Sequence, residues 1–331
     1  MSQKIPRALL LLSGGLDSKL AVKLIQEQGI DIIAVHFDLP FGEGCCKAMC
    51  SFKFSQLEGI KLKIIDCKEG KYFKEYIDVI KSPKHGRGSQ LNPCIDCRIF
   101  MLKIAKKLMH ELNADFIATG EVLNERPMSQ YRGALMEIEK EAGLKRMIVR
   151  PLSGKCLDPT IPEEKGWIKR ENLLDIQGRR RVIQIELAKK YKMSYPSPGG
   201  GCWLCEKDYA RKLQDTFKSN ETNEEDIRLL KIGRHFRFNG KKIIVGRDEK
   251  ENRILMEIKG IKFIPSKDIP GPVTLLKGDG KAEIRKAAEL TLYHSDKKIP
   301  MDIEYGKDIT KLNNTIFVAL LSKEEVEKLR I

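Results

Sequence analysis

Short apolar runs alternate with amphipathic segments through the first half of the chain. Runs rich in Ile, Val and Leu, without polar alternation, predict buried strands over residues 7–12, 32–38, 62–66, 116–119 and 147–150. Between them, apolar residues spaced three and four apart predict helices over residues 18–28, 71–81 and 95–112. This alternation predicts an α/β fold in which helices cover both faces of a parallel sheet.

The pattern changes beyond residue 214. Residues 215–226 include the polar stretch KSNETNEED, whose composition is typical of a linker. We therefore expect a first domain of residues 1–214, a linker of residues 215–226 and a smaller α+β domain of residues 227–331.

Turn signals and short periodic segments define the elements of this second domain. Asn239-Gly240 between two apolar runs predicts a β-hairpin with a type I′ turn, and ENRILMEI, from residue 251, is expected to form a further strand. A helix is predicted over residues 282–293 and a strand over residues 315–321. Ser322 and Glu325 have the spacing of a capping box at the start of a last helix.

Charge and cysteine content narrow the class of protein. The 331 residues carry a formal net charge of +15, which favours a polyanionic partner or, as an alternative, the lysine-rich solvated surface of a heat-adapted protein. No stretch approaches the roughly 20 apolar residues that cross a bilayer, and the start MSQKIPRALLLL has too short an apolar run for a secretory leader. We expect a cytoplasmic protein with no membrane partner, whose nine cysteines serve metal or redox chemistry.

A glycine-rich turn follows the first predicted strand. SGGLDS, at residues 13–18, opens a predicted helix, and backbone N–H groups in such a turn can surround a phosphate. The spacing is neither that of a Walker loop nor that of a dinucleotide fold. Asp17 beside a phosphate suits a divalent cation such as Mg²⁺.

SGGLDS resembles the SGGxDS signature of the PP-loop ATP pyrophosphatases, which adenylate a carbonyl oxygen and release pyrophosphate. The resemblance implies a HUP-type (adenine nucleotide alpha hydrolase-like) parallel sheet and a site for ATP and Mg²⁺. It implies that the pyrophosphate is held by Ser13, Gly14, Gly15, Asp17 and Ser18, with Asp17 on Mg²⁺. It further assigns His36, Phe37 and Gly120 to nucleotide binding; His36 and Phe37 fit core and edge positions equally well.

Two C-x-x-C pairs lie about a hundred residues apart, in NPCIDCR at residues 92–98 and in GGGCWLC at residues 199–205. Four such thiols can form a Cys₄ zinc site, although their separation far exceeds the spacer of a zinc ribbon. Because thiols at a helix start have lowered pKa values, we expect Cys94 and Cys97 to be thiolates ready for a metal or for sulfur chemistry. Reduced thiols without a metal are the alternative.

The order of NPCIDCR, ATGEVLNERPMSQ (118–130) and RPLSG (150–154) resembles that of the tRNA sulfurtransferases that make 4-thiouridine and 2-thiouridine, with the TGE and SQ segments closest to the 4-thiouridine type. This resemblance covers about residues 5–205. It implies a [4Fe-4S] cluster held by Cys94, Cys97 and Cys202, with one iron free to bind sulfur. Cys205 is either a bystander or a fourth ligand that would close the site. Nucleotide or uridine contacts are implied at Glu121, Arg126, Ser129, Gln130 and Arg150, although Arg126 and Arg150 fit surface or ion-pair roles as well.

Other cysteines bear on the source of sulfur. Cys45, Cys46 and Cys50 could form a second metal site or a sulfur relay, or could have no chemical role. No cysteine follows Cys205, which excludes a persulfide cysteine in the C-terminal domain. We therefore expect sulfide or a sulfur-donor protein to supply the sulfur.

The C-terminal domain resembles the RNA-binding domain of NFACT proteins over most of residues 228–330, through IIVGRDEKENRIL, IPSKDIPGP and AEIRKAAELTLYHS. Independently, its hairpin is basic, and Phe236 and Phe238 could stack on bases or belong to the core. A second basic element precedes the helix that ends in KKYK. The candidate RNA contacts are Arg179, Arg180, Arg181, Arg234, Arg237, Lys241, Lys242 and Arg247.

Together these features predict an ATP-dependent tRNA sulfurtransferase. One alternative is a PP-loop enzyme with a structural Cys₄ zinc site that acts on a small metabolite. The other is a non-catalytic RNA-binding protein with a vestigial ATP fold. The modified uridine, the ring position and the oligomeric state stay open, with a homodimer among the options.

Overall fold

The computed structural model describes residues 5–42, 47–196, 201–266, 269–308 and 312–331. It divides into two compact units, Met1–Lys207 and Asp208–Ile331. Among the helices described, none has the length and apolar character needed to cross a membrane.

The first unit is built on a five-stranded parallel sheet with the strand order β3-β2-β1-β4-β5. Its strands are β1 (Arg7–Leu11), β2 (Asp31–Asp38), β3 (Lys61–Asp66), β4 (Phe116–Thr119) and β5 (Ile148–Val149). Its helices are α1 (Leu16–Gln26), α2 (Lys47–Leu57), α3 (Gly70–Lys81), α4 (Cys94–Glu111), α5 (Arg132–Ala142), α6 (Ile161–Glu164) and α7 (Val182–Lys190).

Both faces of this sheet are covered. Successive residues of β1, Leu9 and Leu10, point to opposite faces, and both are fully buried. Because β-α-β crossovers are right-handed, the reversal of strand order beside β1 places α1 and α2 on one face and α4 and α5 on the other. The predicted α/β fold is confirmed, and the carboxyl ends of β1 and β4 meet where the order reverses.

The strands, and the helices predicted over residues 18–28, 71–81 and 95–112, agree with the structure to within about two residues at each end. The helix predicted over residues 178–192 is α7, which begins four residues later, at Val182. Helices α2, α5 and α6 were not predicted. The buried side chains of α5 are Ala134, Leu135, Ile138 and Ala142, a narrow stripe in a segment that is otherwise charged. Such a stripe contributes too few apolar positions to stand out in the sequence.

The second unit contains a six-stranded antiparallel sheet with the order β11-β10-β8-β9-β7-β6. Its strands are β6 (Arg234–Phe238), β7 (Lys241–Val245), β8 (Ile261–Pro265), β9 (Thr274–Lys277), β10 (Met301–Gly306) and β11 (Asn314–Val318). Its helices are α8 (Lys207–Lys218), which starts at the boundary, α9 (Glu224–Leu229), α10 (Glu249–Glu257), α11 (Lys281–Tyr293) and α12 (Lys323–Leu329). The predicted α+β class of this part is confirmed.

Two local predictions in this unit are confirmed. Asn239 and Gly240 join β6 to β7 with φ angles of 47° and 74°, the left-handed pair that a type I′ turn requires. Ser322 and Glu325 form the capping box of α12, with the Ser322 hydroxyl accepting from the Glu325 N–H at 3.2 Å.

One predicted strand is wrong, because the segment ENRILMEI lies in helix α10. Asp248 caps that helix by accepting a hydrogen bond from the Glu251 N–H at 2.9 Å, and the acidic first turn suits a helix N-terminus. Of the large apolar residues of α10, only Leu255 is fully buried. The apolar run is typical of a strand in the sequence, but in the structure it packs through one face of a helix.

The segment predicted as a linker is also largely structured. Helices α8 and α9 occupy most of residues 215–226. Asp215 and Glu221 both bind Arg237 of β6, at 2.8 Å and 2.9 Å. The structure therefore includes this segment in the second unit, and the division falls at residue 207 instead of residue 214.

Candidate functional site

The glycine-rich loop connects the carboxyl end of β1 to α1. Gly14 is buried with a φ of +83°, a conformation that favours glycine. A side chain there would also be crowded, because its Cβ would lie 3.1 Å from the Cβ of Cys50 and 3.1 Å from the Ser51 hydroxyl. The tight turn between β1 and α1 thus requires glycine at position 14.

The loop presents an open helix end. Gly15 occupies the N-cap of α1 and no side chain caps that end. The Ser18 hydroxyl donates to the Gly15 carbonyl at 2.9 Å and lies 3.2 Å from the Ser13 hydroxyl, which closes the turn. Since the uncapped N–H groups and the helix dipole favour negative charge, the loop suits a phosphate.

Gly120 brings β4 against this loop. A Cβ at Gly120 would lie 2.5 Å from the backbone nitrogen of Ser18 and 2.6 Å from the carbonyl carbon of Asp17. The chain after β4 can therefore approach the start of α1 only with glycine at this position. The loop and Gly120 together form the crevice at the reversal of strand order, where open α/β sheets bind ligands.

His36 supports the loop from within the fold. Its ring is buried, and Nδ1 lies 2.9 Å from the Leu12 carbonyl and 2.9 Å from the Ser51 hydroxyl. Phe37, next in β2, is half-buried. These contacts fit the alternative in which His36 is a core residue. Adenine binding by His36 and Phe37 stays a prediction.

Asp17 faces two charged partners in the same unit. Burial, and the neighbouring Glu125 carboxylate, raise the pKa of Asp17. Arg181 donates to Glu125 at 3.0 Å and lies 3.4 Å from Asp17. Within the described residues, the buried Oδ1 of Asp17 makes no hydrogen bond.

This arrangement suits a divalent cation. Two carboxylates that share one buried place repel each other, and oxygen donors of this kind are what Mg²⁺ prefers. Arg181 supplies positive charge between them. Arg181, predicted as an RNA contact, therefore lies at the glycine loop, and Glu125 is a site residue that sequence reasoning missed, although it lies five residues after Gly120.

Glu121 is the centre of a buried ion-pair network behind the loop. Its carboxylate accepts from Arg150 at 3.0 Å and lies 3.5 Å from Arg98 of α4. Burial opposes its ionisation, but Arg150 and Arg98 hold the pKa of Glu121 below its usual value. Arg150 is buried and also binds Glu139 of α5. Its observed contacts are therefore those of the alternative in which Arg150 is an ion-pair partner.

The segment after Glu121 is a compact loop. The Gln130 side chain accepts from the Arg126 N–H at 3.0 Å, and the Asn124 N–H donates to the Gln130 carbonyl at 2.7 Å. Ser129 and Gln130 are buried, whereas Arg126 is exposed. Gln130 therefore shapes the loop, and direct nucleotide or uridine contacts by these residues stay a prediction.

The fold brings the two distant C-x-x-C pairs together. Cys94 and Cys97 open α4, and Cys202 pairs in a β-bridge with Gly42. The Leu91 N–H donates to the Leu204 carbonyl at 3.0 Å, which ties the loop before α4 to the loop that carries Cys205. The thiols of all four cysteines lie within electrostatic reach of one another.

The electrostatics of this cysteine cluster (Cys94, Cys97, Cys202 and Cys205) correct one prediction. Burial raises the pKa of Cys97, and outweighs the hydrogen bond from the Tyr76 hydroxyl 3.1 Å away. Burial and the other thiols raise the pKa of Cys202 to about 12. The expected thiolate at Cys97 is therefore wrong for the metal-free chain, because burial exceeds the effect of the helix start.

The spacing of the sulfurs bears on what the cluster could hold. Among the described residues, no three of the four sulfurs lie within 4.8 Å of one another. A tetrahedral zinc with bonds of about 2.3 Å requires sulfurs about 3.8 Å apart. The donor set is suited to a metal centre, and the present spacing is wider than a compact zinc site.

A continuous series of contacts joins the cysteine cluster to the glycine loop. Arg98 follows Cys97 and pairs with Glu121; Gly120, the neighbour of Glu121, packs on the backbone of Asp17. The two predicted halves of the active site therefore lie in one unit, linked through α4 and the end of β4.

The remaining cysteines contribute less. Cys50 lies on α2 beside Gly14 and is disulfide-bonded. Cys45 and Cys46 lie outside the described residues. A second metal site or sulfur relay at these three cysteines stays a prediction.

The predicted RNA contacts differ in exposure. Arg179, Arg180 and Lys241 are exposed, and Arg234 is half-buried. Lys242 is 1% exposed and donates to the Thr216 hydroxyl at 2.7 Å, so its assignment as an RNA contact is wrong. Phe236 is fully buried, as its core alternative requires.

Two further basic residues are already paired. Arg237 binds Asp215 and Glu221, and Arg247 binds Glu251 of α10 at 2.9 Å. Sequence reasoning missed these pairs because the acidic partners of Arg237 come from the segment that was predicted to be a linker.

Comparison with protein families bears on both parts of the chain. Residues 4–159 match the family model of the thiamine biosynthesis protein ThiI. Residues 233–330 match the model of the NFACT protein RNA-binding domain. Both resemblances predicted from the sequence are confirmed by these matches.

Two curated relatives match this chain at low sequence identity. A tRNA-specific 2-thiouridylase MnmA of Petrotoga mobilis is 26% identical over 71% of this chain and 65% of its own length. A probable tRNA sulfurtransferase of Alkaliphilus metalliredigens is 27% identical over 44% of this chain and 35% of its own length. The chain thus spans less than two thirds of the length of these curated relatives.

Among solved structures, a 4-thiouridine synthetase in complex with RNA and ATP shares 22% sequence identity with this chain. The match covers 55% of this chain and 50% of that one, with a TM-score of 0.37.

Proposed function

We propose that this chain, which joins a ThiI-type domain to an NFACT-type RNA-binding domain, is an ATP-dependent tRNA sulfurtransferase. The observation that carries the proposal is the link between the open glycine loop and the cysteine cluster through Arg98, Glu121 and Gly120. A phosphate site and four gathered thiols at the same end of one sheet suit a reaction that uses ATP and sulfur together.

ATP would bind with its pyrophosphate on the loop from Ser13 to Ser18. The oxygen of a uridine carbonyl attacks the α-phosphate, the bond to pyrophosphate breaks, and the ring carbon then carries AMP as a leaving group. Sulfide forms a bond to that carbon and loses its proton, and AMP departs with the former carbonyl oxygen. Adenylation is needed because a carbonyl oxygen alone is a poor leaving group.

Mg²⁺ would be held by Asp17, with Glu125 as the second carboxylate. The unbonded, buried Oδ1 of Asp17 and the repulsion between the two carboxylates support a cation at this place. With Mg²⁺ on the two carboxylates, Arg181 would be available to contact a phosphate, because a guanidinium matches phosphate oxygens. Together the cation and Arg181 offset the charge of the pyrophosphate.

Cys94, Cys97 and Cys202 would hold a [4Fe-4S] cluster, with Cys205 at the exposed side. Held by these three residues, the cluster would supply the delivery of inorganic sulfur. The fold brings the two distant C-x-x-C pairs to one place, which supports a metal centre there. Sulfide or a sulfur-donor protein provides the sulfur.

The second unit and the exposed arginines before α7 would bind tRNA. Arg179, Arg180 and Lys241 are exposed cations, and such cations bind the RNA backbone by releasing counterions. Their proposed role is to position the RNA, while the chemistry stays in the first unit.

Anaerobically purified protein tests the proposal when it is incubated with ATP, Mg²⁺, sulfide and unmodified tRNA. AMP and pyrophosphate should form in a tRNA-dependent manner, and nucleoside mass spectrometry should find thiouridine. Iron and sulfide analysis should give a cluster. ATP cleavage that does not depend on RNA, with zinc in place of iron, would favour the enzyme for a small metabolite and overturn the proposal.

Cysteine variants separate the two half-reactions. Cys97→Ser should lose iron and thiouridine but still release pyrophosphate, because the glycine loop is intact. Cys156→Ser, at a half-buried cysteine of the same unit outside the cysteine cluster, is the matched control and should keep both activities. Cys205→Ser should retain the cluster, because three ligands suffice in the proposed site. Loss of the cluster in this variant would mean that all four cysteines bind it.

A further inference from the structure

We infer that the first unit contains a second cation site, formed by His85, Glu137 and Glu141, which binds a divalent transition-metal ion such as Mn²⁺. This site is separate from the glycine loop and from the cysteine cluster, and its existence does not depend on the proposed function.

The three ligand atoms are already gathered. One atom each of His85, Glu137 and Glu141 lie within 4.8 Å of one another, and they are the one such group of three found among the described residues. The Nε2 atom of His85 lies 3.8 Å from a Glu137 oxygen. Glu137 and Glu141 are one turn apart on α5, so their carboxylates project from the same helix face.

Asp96 fixes the direction of the imidazole. Its carboxylate accepts from the backbone N–H groups of Lys84 and His85, at 3.1 Å and 3.0 Å, and lies 3.0 Å from the Nδ1 atom of His85. Because a carboxylate can only accept, Nδ1 carries the hydrogen and Nε2 is directed toward the glutamates. A carboxylate behind a histidine is the usual support of a metal-binding imidazole.

Negative charge is gathered at this place. The Nε2 atom of His85 and the carboxylates of Glu137 and Glu141 face one another, so positive charge between them is favourable. In the metal-free chain Lys84 pairs with Glu141 and Lys140 lies 3.7 Å from Glu137. Both lysine side chains are largely exposed, at 67% and 72%, so a divalent ion can displace them at little cost.

The chemistry of the donor set determines the class of ion. One imidazole and two carboxylates offer nitrogen and oxygen, which suit Mn²⁺ and its first-row neighbours better than a soft, thiolate-seeking ion. Three ligands leave coordination positions for water. Half-burial of all three side chains leaves the site open to exchange with solvent.

The position of Asp96 links this cation site to the cysteines at the start of α4. Asp96 lies in the first turn of α4 between Cys94 and Cys97, and His85 lies in the loop that precedes them. A metal on His85, Glu137 and Glu141 would bind this loop to α5 and hold the start of α4 in place. The site would thus steady the cysteines without touching them.

Nucleotide-free protein titrated with Mn²⁺ tests this inference, with free Mn²⁺ measured by its EPR signal. Wild-type protein should bind one more equivalent than His85→Ala and than the double variant Glu137→Gln/Glu141→Gln. Pulsed EPR should show nitrogen coupling from one imidazole in the wild type and none in His85→Ala. Asp96→Asn should weaken binding about 10- to 100-fold.

His110→Ala is the matched control, since His110 is exposed near the end of the same helix α4. It should bind Mn²⁺ like the wild type. Equal binding by the wild type and both ligand variants would overturn the inference, and so would bound Mn²⁺ without nitrogen coupling. The glutamine variants keep side-chain volume, so the test does not depend on the folding of His85→Ala.

Discussion

The guanidinium of Arg181 lies 3.4 Å from the carboxylate of Asp17, although 164 positions separate them in the chain. Arg181 also binds Glu125, so it stands between two carboxylates at the glycine loop. In the ligand-free protein, the cation at this place comes from the chain itself. Arg181 therefore offsets part of the negative charge that the two carboxylates place at the loop.

Asp17→Asn should separate stability from activity. The pKa of Asp17 is raised in the folded chain, so at neutral pH its ionised form opposes folding, and this effect disappears as the pH falls through the raised pKa. The variant should be more stable than the wild type at pH 7 without ligand, and equal to it in acid. Thermal unfolding at several pH values measures the difference.

The same variant should lose tRNA-dependent pyrophosphate release by about 100-fold or more, because the cation loses a charged ligand. Asp158→Asn, at a largely exposed carboxylate, is the control for the charge change and should leave both properties near wild type. Full activity of Asp17→Asn would contradict the assignment of the loop.

Gly120→Ala should destabilise the first unit. The added methyl would lie 2.5 Å from the backbone of Ser18, and neither β4 nor α1 can move without breaking the sheet or the loop. Overpacking of this kind costs about 1–3 kcal/mol. Chemical denaturation measures the change, and ATP affinity should fall with it. Gly201→Ala, with no atom within 4 Å of its added Cβ, should unfold like the wild type.

Glu121→Gln should be destabilising, by up to about 3–5 kcal/mol, because it removes one of the two carboxylates that pair with the buried Arg150 and leaves only Glu139. The folded-state pKa of Glu121 is lowered, so its contribution to stability is present above the usual glutamate pKa and is lost as the pH falls. The variant and the wild type should therefore converge in acid. Unfolding in urea at pH 7 and at low pH tests both points.

Arg132→Ala is the control for this pair. Arg132 pairs with Asp158 at the surface, where the two side chains are 51% and 77% exposed. Its loss should change stability by at most about 1 kcal/mol. A similar cost for the buried and the exposed pair would show that burial does not control the contribution of Glu121.

Two neighbouring lysines of β7 should behave in opposite ways. Lys241→Ala removes an exposed cation, so it should weaken RNA binding without changing stability. The slope of log affinity against log salt concentration should fall in magnitude by about one, because one fewer counterion is released. Lys242→Ala removes a buried group that donates to Thr216, and should cost about 1–3 kcal/mol of stability. Filter binding at several salt concentrations, with denaturation of both variants, distinguishes them.

The sequence is most informative where local chemistry decides the structure. The parallel sheet follows from five apolar runs, and the hairpin turn from Asn239-Gly240, because these patterns need no knowledge of distant residues. The prediction that all five strands are buried is wrong for β3, which lies at the edge of the sheet and is largely exposed. ENRILMEI shows the limit: its apolar run suits a strand, but the capping contact of Asp248 with Glu251 decides for a helix.

The candidate site is predictable only in part for the same reason. SGGLDS and the cysteine pairs carry their own signals. Arg181 and Glu125 gain their role from the fold, which brings them to Asp17, and a basic run in the sequence gives no sign of an acidic partner. The raised pKa of Cys97 likewise depends on burial, which the helix-start argument does not include.

Glu121 pairs with Arg98 and follows Gly120, so helix α4, which carries two of the thiols, is connected through this residue to the glycine loop. A substitution that shifts helix α4 or the glycine loop requires a compensating substitution in the other element. Sequence variation across relatives should therefore be correlated at these positions, and a graft of either half onto an unrelated scaffold would have to carry this connection with it.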